Sequence, residues 1–143
     1  MMARGLTLLT ALLLAPLPVL AETLCARDAL QRDVCLPDAA TRIVSLSPGA
    51  TELLFSAGAG DKVVGAGAWS DYPPAAEQLP RVGDSNRLDL EVILSLQPDL
   101  VVAWVDGNSR QQVERLEQLG LPAFWLSPRE FEDIPRAIEQ LGT

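Results

Sequence analysis

Short apolar runs alternate along the chain with turn chemistry and amphipathic stretches, and this alternation predicts strands and helices in turn. Ile43, Val44 and Leu46 form a β-branched run of strand length, and Ser47-Pro48-Gly49 follows as a turn. Ser47 is placed to cap a helix and Pro48 to occupy its first position, where a missing N–H costs nothing. Leu53, Leu54 and Ala57 then fall at helical spacing, with Glu52 expected in the first turn and Gly58 and Gly60 as the stop. Lys62 to Ala68 reads as a second strand, and Leu79 to Arg87 as irregular. Asp89 is the expected cap of a helix over Leu90 to Leu96, with Ile93, Leu94 and Leu96 inward. Leu100 to Trp104 is apolar throughout, which predicts a strand buried on both faces. Asn108 or Ser109 caps the next helix, which turns Val113 and Leu116 inward and stops at Gly120. Ala123 to Leu126 is a fourth strand, and a last helix is expected from about Phe131 to Leu141. Strands alternating with helices at this spacing predict an α/β fold with a doubly wound parallel sheet.

The first forty residues stand outside that pattern. Residues 1–21 carry Arg4, a Leu/Ala-rich core and Val19-Leu20-Ala21, the layout of a cleavable export signal. A membrane anchor is the alternative, but the apolar run is shorter than the ~20 residues a bilayer needs and is broken by Pro16 and Pro18. Residues 22–40 form a polar arm holding Cys25 and Cys35, and export makes a disulfide between them the expectation, ahead of a two-cysteine metal site. Of the 143 residues, 19 are acidic and 11 basic, giving a net charge of −8 without a basic run, which argues against nucleic-acid binding. Histidine is absent, and that excludes a His metal site, a Ser-His-Asp triad and a His general base.

The candidate chemistry gathers where strands end. Ser47-Pro48, Trp69-Ser70, Trp104-Val105 and Ser127-Pro128 each mark a strand exit, and in a parallel sheet such exits share one edge, where ligands bind. Tryptophans there suit a flat apolar body, with backbone N–H groups at the first helix start as polar anchors. Trp125, inside a strand, reads as core. Trp104 fits core and rim equally, and Trp69, leading into Ser70-Asp71-Tyr72-Pro73-Pro74, reads as exposed.

In order, RIVSLSPGATELLFSAG, GAWSDYPP, LDLEVILSLQPDLVVAW and QVERLEQLG resemble the N-terminal lobe of the periplasmic cobalamin-binding proteins of ABC importers, within the wider group that also carries haem and ferric siderophores. The resemblance runs from about Thr41 to the end, and the aromatic-SDYPP loop is its cobalamin-like part. It implies a two-lobed clamp whose lobes are joined by a helix, with residues 41–143 forming the N-terminal lobe and the second lobe lying beyond a truncated chain. Trp69 and Trp104 take the positions of cleft aromatics. With the rim residues Ser47 and Pro48 and the loop tyrosine Tyr72 they make the expected ligand set. Glu91 takes the position of an acidic residue that docks on the permease; without the resemblance it reads as an ordinary glutamate at a helix start. Ser85 departs from the pattern, standing where another cleft tryptophan is expected. The implied protein is a periplasmic monomer that captures cobalamin or a related corrinoid and delivers it to ABC permease subunits. It has no catalytic residue, metal or cofactor beyond that transported ligand. Haem or a ferric siderophore is the alternative cargo, with Arg81 and Arg87 as the rim cations. A secreted hydrolase using Asp71, Asp84, Asp89 or Asp106, and a plain interaction module, are the competing classes.

Overall fold

The structure, a computed structural model, describes residues 23–129. The expected export signal over residues 1–21 and the expected helix from Phe131 to Leu141 lie outside the described residues. Strands β1 (Leu24–Arg27) and β2 (Asp33–Leu36) pair as an antiparallel hairpin in which Cys25 faces Cys35 and is joined to it by a disulfide. A parallel sheet follows, built from β3 (Ile43–Ser45), β4 (Val63–Ala66), β5 (Leu100–Trp104) and β6 (Ala123–Leu126) in the spatial order β4-β3-β5-β6. The chain steps outward from β3 to β4, crosses back to β5 on the other side of β3, and continues to β6.

Period-two alternation divides the strand side chains between the two faces. Ile43, Val102, Phe124 and Leu126 pack with Ala50, Leu53 and Leu54 of α1 (Pro48–Ser56). Val44, Val101, Ala103, Ala123 and Trp125 pack on the opposite face, with Ile93 of α2 (Leu90–Ser95) and with Val113 and Leu116 of α3 (Arg110–Gln118). Helices cover both faces, so the sheet is doubly wound as the sequence pattern implied.

Local chemistry explains most element ends. Ser47 Oγ accepts from Ala50 N (3.2 Å) with Pro48 at the helix start, and Asp89 Oδ1 accepts from Val92 N (3.1 Å). Gly58 and Gly120, at φ 81° and 91°, release α1 and α3 in a conformation that disfavours a Cβ.

Several details differ from the sequence reading. Helix α1 starts at Pro48, which puts Glu52 past its first turn. In α2 Leu94 is exposed, because the inward arc is made by Val92, Ile93 and Leu96, and Leu94 lies about 100° beyond Ile93 on the side away from the other two. The cap position of α3 is Ser109, which makes no side-chain hydrogen bond there, while Asn108 turns inward. The stretch Leu79–Arg87 is partly ordered by the sheet. Ala66 N donates to Pro80 O and Val82 N to Ala66 O (3.0 and 3.1 Å), a one-residue parallel bridge along the edge of β4.

The hairpin is held by its tip. Asp28 is fully buried and accepts from Leu30 N, Arg32 N and the Arg32 guanidinium at 2.9–3.0 Å. Arg32 continues to Glu117 of α3 (3.0 Å), and Ala29 N donates to Trp125 O (2.8 Å) on the outer edge of β6. The tip thereby occupies hydrogen-bonding groups that an edge strand would leave open.

Candidate functional site

Connections leave β3 and β5 in opposite directions, β3 toward α1 and β4, β5 toward α3 and β6. The crevice between their carboxyl ends is the topological switch point, where doubly wound sheets bind ligands. Three segments meet at this edge: the start of α1, the turn after β5 and the loop after β4.

Trp104 ends β5 half-buried, its six-membered ring against the first turn of α1. A Cβ placed on Gly49 would lie 2.6 Å from Trp104 Cζ3. Glycine at this position is therefore what admits the indole. Asn108 fixes the turn beneath it, its Oδ1 accepting from Trp104 N (2.8 Å) and its Nδ2 donating to Leu46 O (2.9 Å). One buried amide thus ties the end of β5 to the end of β3.

The loop after β4 carries the exposed aromatics. Trp69 is 81% exposed at φ 67° and Tyr72 is 67% exposed, whereas Ser70 between them is buried. A positive φ on a bulky residue persists only where surroundings hold it, and such strain clusters at ligand contacts. Here the Thr51 hydroxyl of α1 lies within hydrogen-bond distance of Ser70 Oγ (3.1 Å), Ser45 Oγ (2.9 Å) and Ser47 O (3.0 Å), linking strand, helix and loop. On the other side Arg81 donates to Ser70 O (3.1 Å), Gly67 O (3.4 Å) and Asp71 Oδ1 (3.2 Å).

The structure therefore brings Ser47, Pro48, Trp69, Tyr72 and Trp104 to one edge. Trp125 is core, at 2% exposure. Glu91 is exposed in the first turn of α2, whose amino end points toward this edge because Arg42, beside the start of β3, donates to Leu96 O at the helix's other end. Ser85 is exposed on the neighbouring turn.

The aspartates named as possible acid/base groups each have a local partner. Asp71 meets Arg81 and Asp106 meets Arg129 at 3.5 Å, while Asp89 caps α2. Asp84 accepts from Arg87 N and Asn86 N at 2.9 and 2.8 Å, hydrogen bonds that hold its carboxyl below the usual range. Among the described residues no three acidic or cysteine side chains are grouped to hold a metal ion, and no helix is long and apolar enough to cross a membrane. A cavity of about 280 Å³ lies between the hairpin and the α1 face, against Ile43, Leu54, Leu100 and Phe124. Ile43 and Leu100 open their strands, which puts this cavity at the far end of the sheet from the tryptophans.

The family model described as periplasmic binding protein matches residues 43–143. The chain belongs to the periplasmic binding protein family. Among curated relatives of this binding protein, the vitamin B12-binding protein of Pectobacterium carotovorum is 41% identical over 93 residues, 65% of this chain and 34% of that protein. That of Vibrio campbellii is 45% identical over 92 residues, 64% and 34% respectively. The crystal structure of the periplasmic vitamin B12 binding protein BtuF of Vibrio cholerae superposes with a TM-score of 0.70 at 41% identity, covering 73% of this chain and 41% of that one. A periplasmic heme binding protein from Pseudomonas aeruginosa gives 0.66 at 29% identity, covering 72% and 37%. The chain spans about a third of the length of the curated relatives it matches. All four proteins are named for what they bind rather than for a reaction.

Sequence reasoning missed the roles of Gly49, Asn108 and Arg81. Asn108 carried a signal, since an Asn directly after Asp106-Gly107 is suited to bonding nearby backbone. Arg81 carried none beyond its charge, because its partners are set by the path of another loop.

Proposed function

We propose that this chain supplies the N-terminal lobe of a periplasmic receptor that captures cobalamin, or a related corrinoid, and delivers it to the permease of an ABC importer. Residues 1–21 direct export, residues 22–40 form the stapled arm, and residues 41–143 form the lobe. The observation that carries this reading is the pairing of exposed Trp69 with half-buried Trp104 on one sheet edge. Indole faces match a flat macrocycle, and the names of the relatives agree with that cargo. Both terminal nitrogens of Arg81 are hydrogen-bonded to the protein, which weakens it as an anion anchor and favours a cargo bearing neutral amide arms over a polyanionic siderophore. Ser47 and Pro48 line the rim, Tyr72 flanks Trp69, and Glu91 offers the permease a charge that steers encounter. The receptor acts as a monomer.

Haem is the second reading. Tyr72 is the chain's one tyrosine and is exposed on the same loop, where a phenolate can reach an iron.

Calorimetric titration of residues 22–143 with cyanocobalamin, with hemin in a parallel cell, separates the two. Cyanocobalamin is expected to bind at about micromolar Kd or tighter. Trp69→Ala is expected to weaken it by about tenfold or more, as loss of an aromatic anchor does. Saturable hemin binding without cyanocobalamin binding transfers the reading to haem, and binding of neither, by the folded chain and by the full reading frame, would falsify both.

A further inference from the structure

We propose that Arg81 is the positioning residue of this site, a clamp that holds the 67–71 loop so that Trp69 stands out as a rigid contact surface. The role rests on the ligand reading above and extends it to a residue that need not touch the ligand.

Trp69 has little packing of its own to fix it, at 81% exposure and φ 67°. What defines its position is the backbone on either side. Gly67 O precedes it, Ser70 O and Asp71 Oδ1 follow it, and all three accept from the Arg81 guanidinium at 3.4, 3.1 and 3.2 Å. One planar group brackets the tryptophan from both ends. The fork of a guanidinium suits this task, since its donors diverge in fixed directions where an ammonium is a single point charge. Arg81 is itself mounted on a rigid element, because residues 80 and 82 bond Ala66 at the end of β4. Additional bonds inside the loop, Asp71 N to Trp69 O (3.0 Å) and Ser70 N to Gly67 O (3.3 Å), depend on the same geometry. A clamp of this kind lowers the cost of binding, because an aromatic already held in place loses less freedom when a ligand stacks on it.

The test uses the chain as it stands, with Arg81→Gln, Arg81→Lys and Asp71→Asn, and with Arg81→Gln also combined with Trp69→Ala. Hydrogen exchange of the unliganded protein is the first readout. Arg81→Gln is expected to speed exchange at the Ser70 and Asp71 amides by about tenfold or more, with the Val101 to Ala103 amides of β5 unchanged as the folding control. Asp71→Asn, which spares the two carbonyl contacts, gives a smaller increase, and Arg81→Lys falls between Arg and Gln. Affinity for cyanocobalamin is the second readout. Arg81→Gln is expected to weaken it by about fivefold to tenfold, and that loss disappears in the Trp69→Ala background. Unchanged loop exchange overturns the proposal, as does an equal loss of affinity in both backgrounds, which would make Arg81 a direct ligand contact. If neither the parent chain nor its full reading frame binds cyanocobalamin, the functional reading fails and the exchange data alone decide the clamp.

Discussion

At Gly49 the absence of a side chain gives Trp104 its place. Because a Cβ there would lie 2.6 Å from one ring carbon and 2.8 Å from another, Gly49→Ala has to push the indole off the first turn of α1. Thermal or chemical denaturation of Gly49→Ala is expected to register a loss of about 1–3 kcal/mol from overpacking, together with a shifted tryptophan emission; a variant as stable as the parent with unchanged emission refutes the contact. The Gly at this position looked like turn chemistry in the sequence, but it lies in the first turn of α1. Its role was illegible, since the ring that needs the space comes from a strand more than fifty residues later. Ser47 behaved differently. Its cap hydrogen bond goes to Ala50, three residues on, and local spacing alone predicted it.

Among the elements, the hairpin arm carries the clearest division between local and distant causes. An expected export signal and a pair of cysteines were enough to expect the staple, and Cys25 does face Cys35 across the ladder. Where the arm docks was decided elsewhere, by buried Asp28, by Arg32 reaching Glu117, and by Ala29 bonding the edge of β6. Cys25→Ser/Cys35→Ser is expected to cost about 2–3 kcal/mol, the loop-closure effect of a bridge spanning ten residues. The double variant should still fold, because the tip contacts do not depend on the sulfurs. Denaturant titration measures the first expectation, and retention of slow exchange at the Ala29 amide checks the second.

On the scale of the whole molecule, the two edges of the sheet have separate work. The carboxyl edge gathers the aromatics, and the amino edge is laced together by Asp99, whose carboxylate accepts from Thr41 N (2.8 Å), Thr41 Oγ1 (2.9 Å) and Arg42 N (3.0 Å). Partial burial opposes the charge on Asp99, but the hydrogen bonds from Thr41 and Arg42 outweigh it and hold the carboxyl below its usual range. A carboxyl depressed in the folded state contributes stability above its unfolded pKa of about 4, and that contribution fades as pH falls through the lower folded value. Stability is accordingly expected to be level from about pH 8 to 5 and to drop below about pH 4, with a shallower drop in Asp99→Asn. Denaturant midpoints measured across that range check the slope, and an Asp99→Asn profile parallel to the parent's removes Asp99 from the account.

From β3 to β6 the sequence by itself determined the element types and their order, because the period-two and helical patterns, the caps and the glycine stops act within a few residues. It also determined that tryptophans fall at strand exits, since a strand's end is a local property and parallel strands share their ends. Tertiary structure alone decided how deeply Trp104 sits, that Asn108 binds Leu46 across 62 residues instead of capping α3, and that Arg81 serves the Trp69 loop. These are hydrogen bonds and close contacts between segments brought together by the crossover from β4 to β5. A side chain's polarity states that it needs a partner, and only the folded path of the chain supplies one.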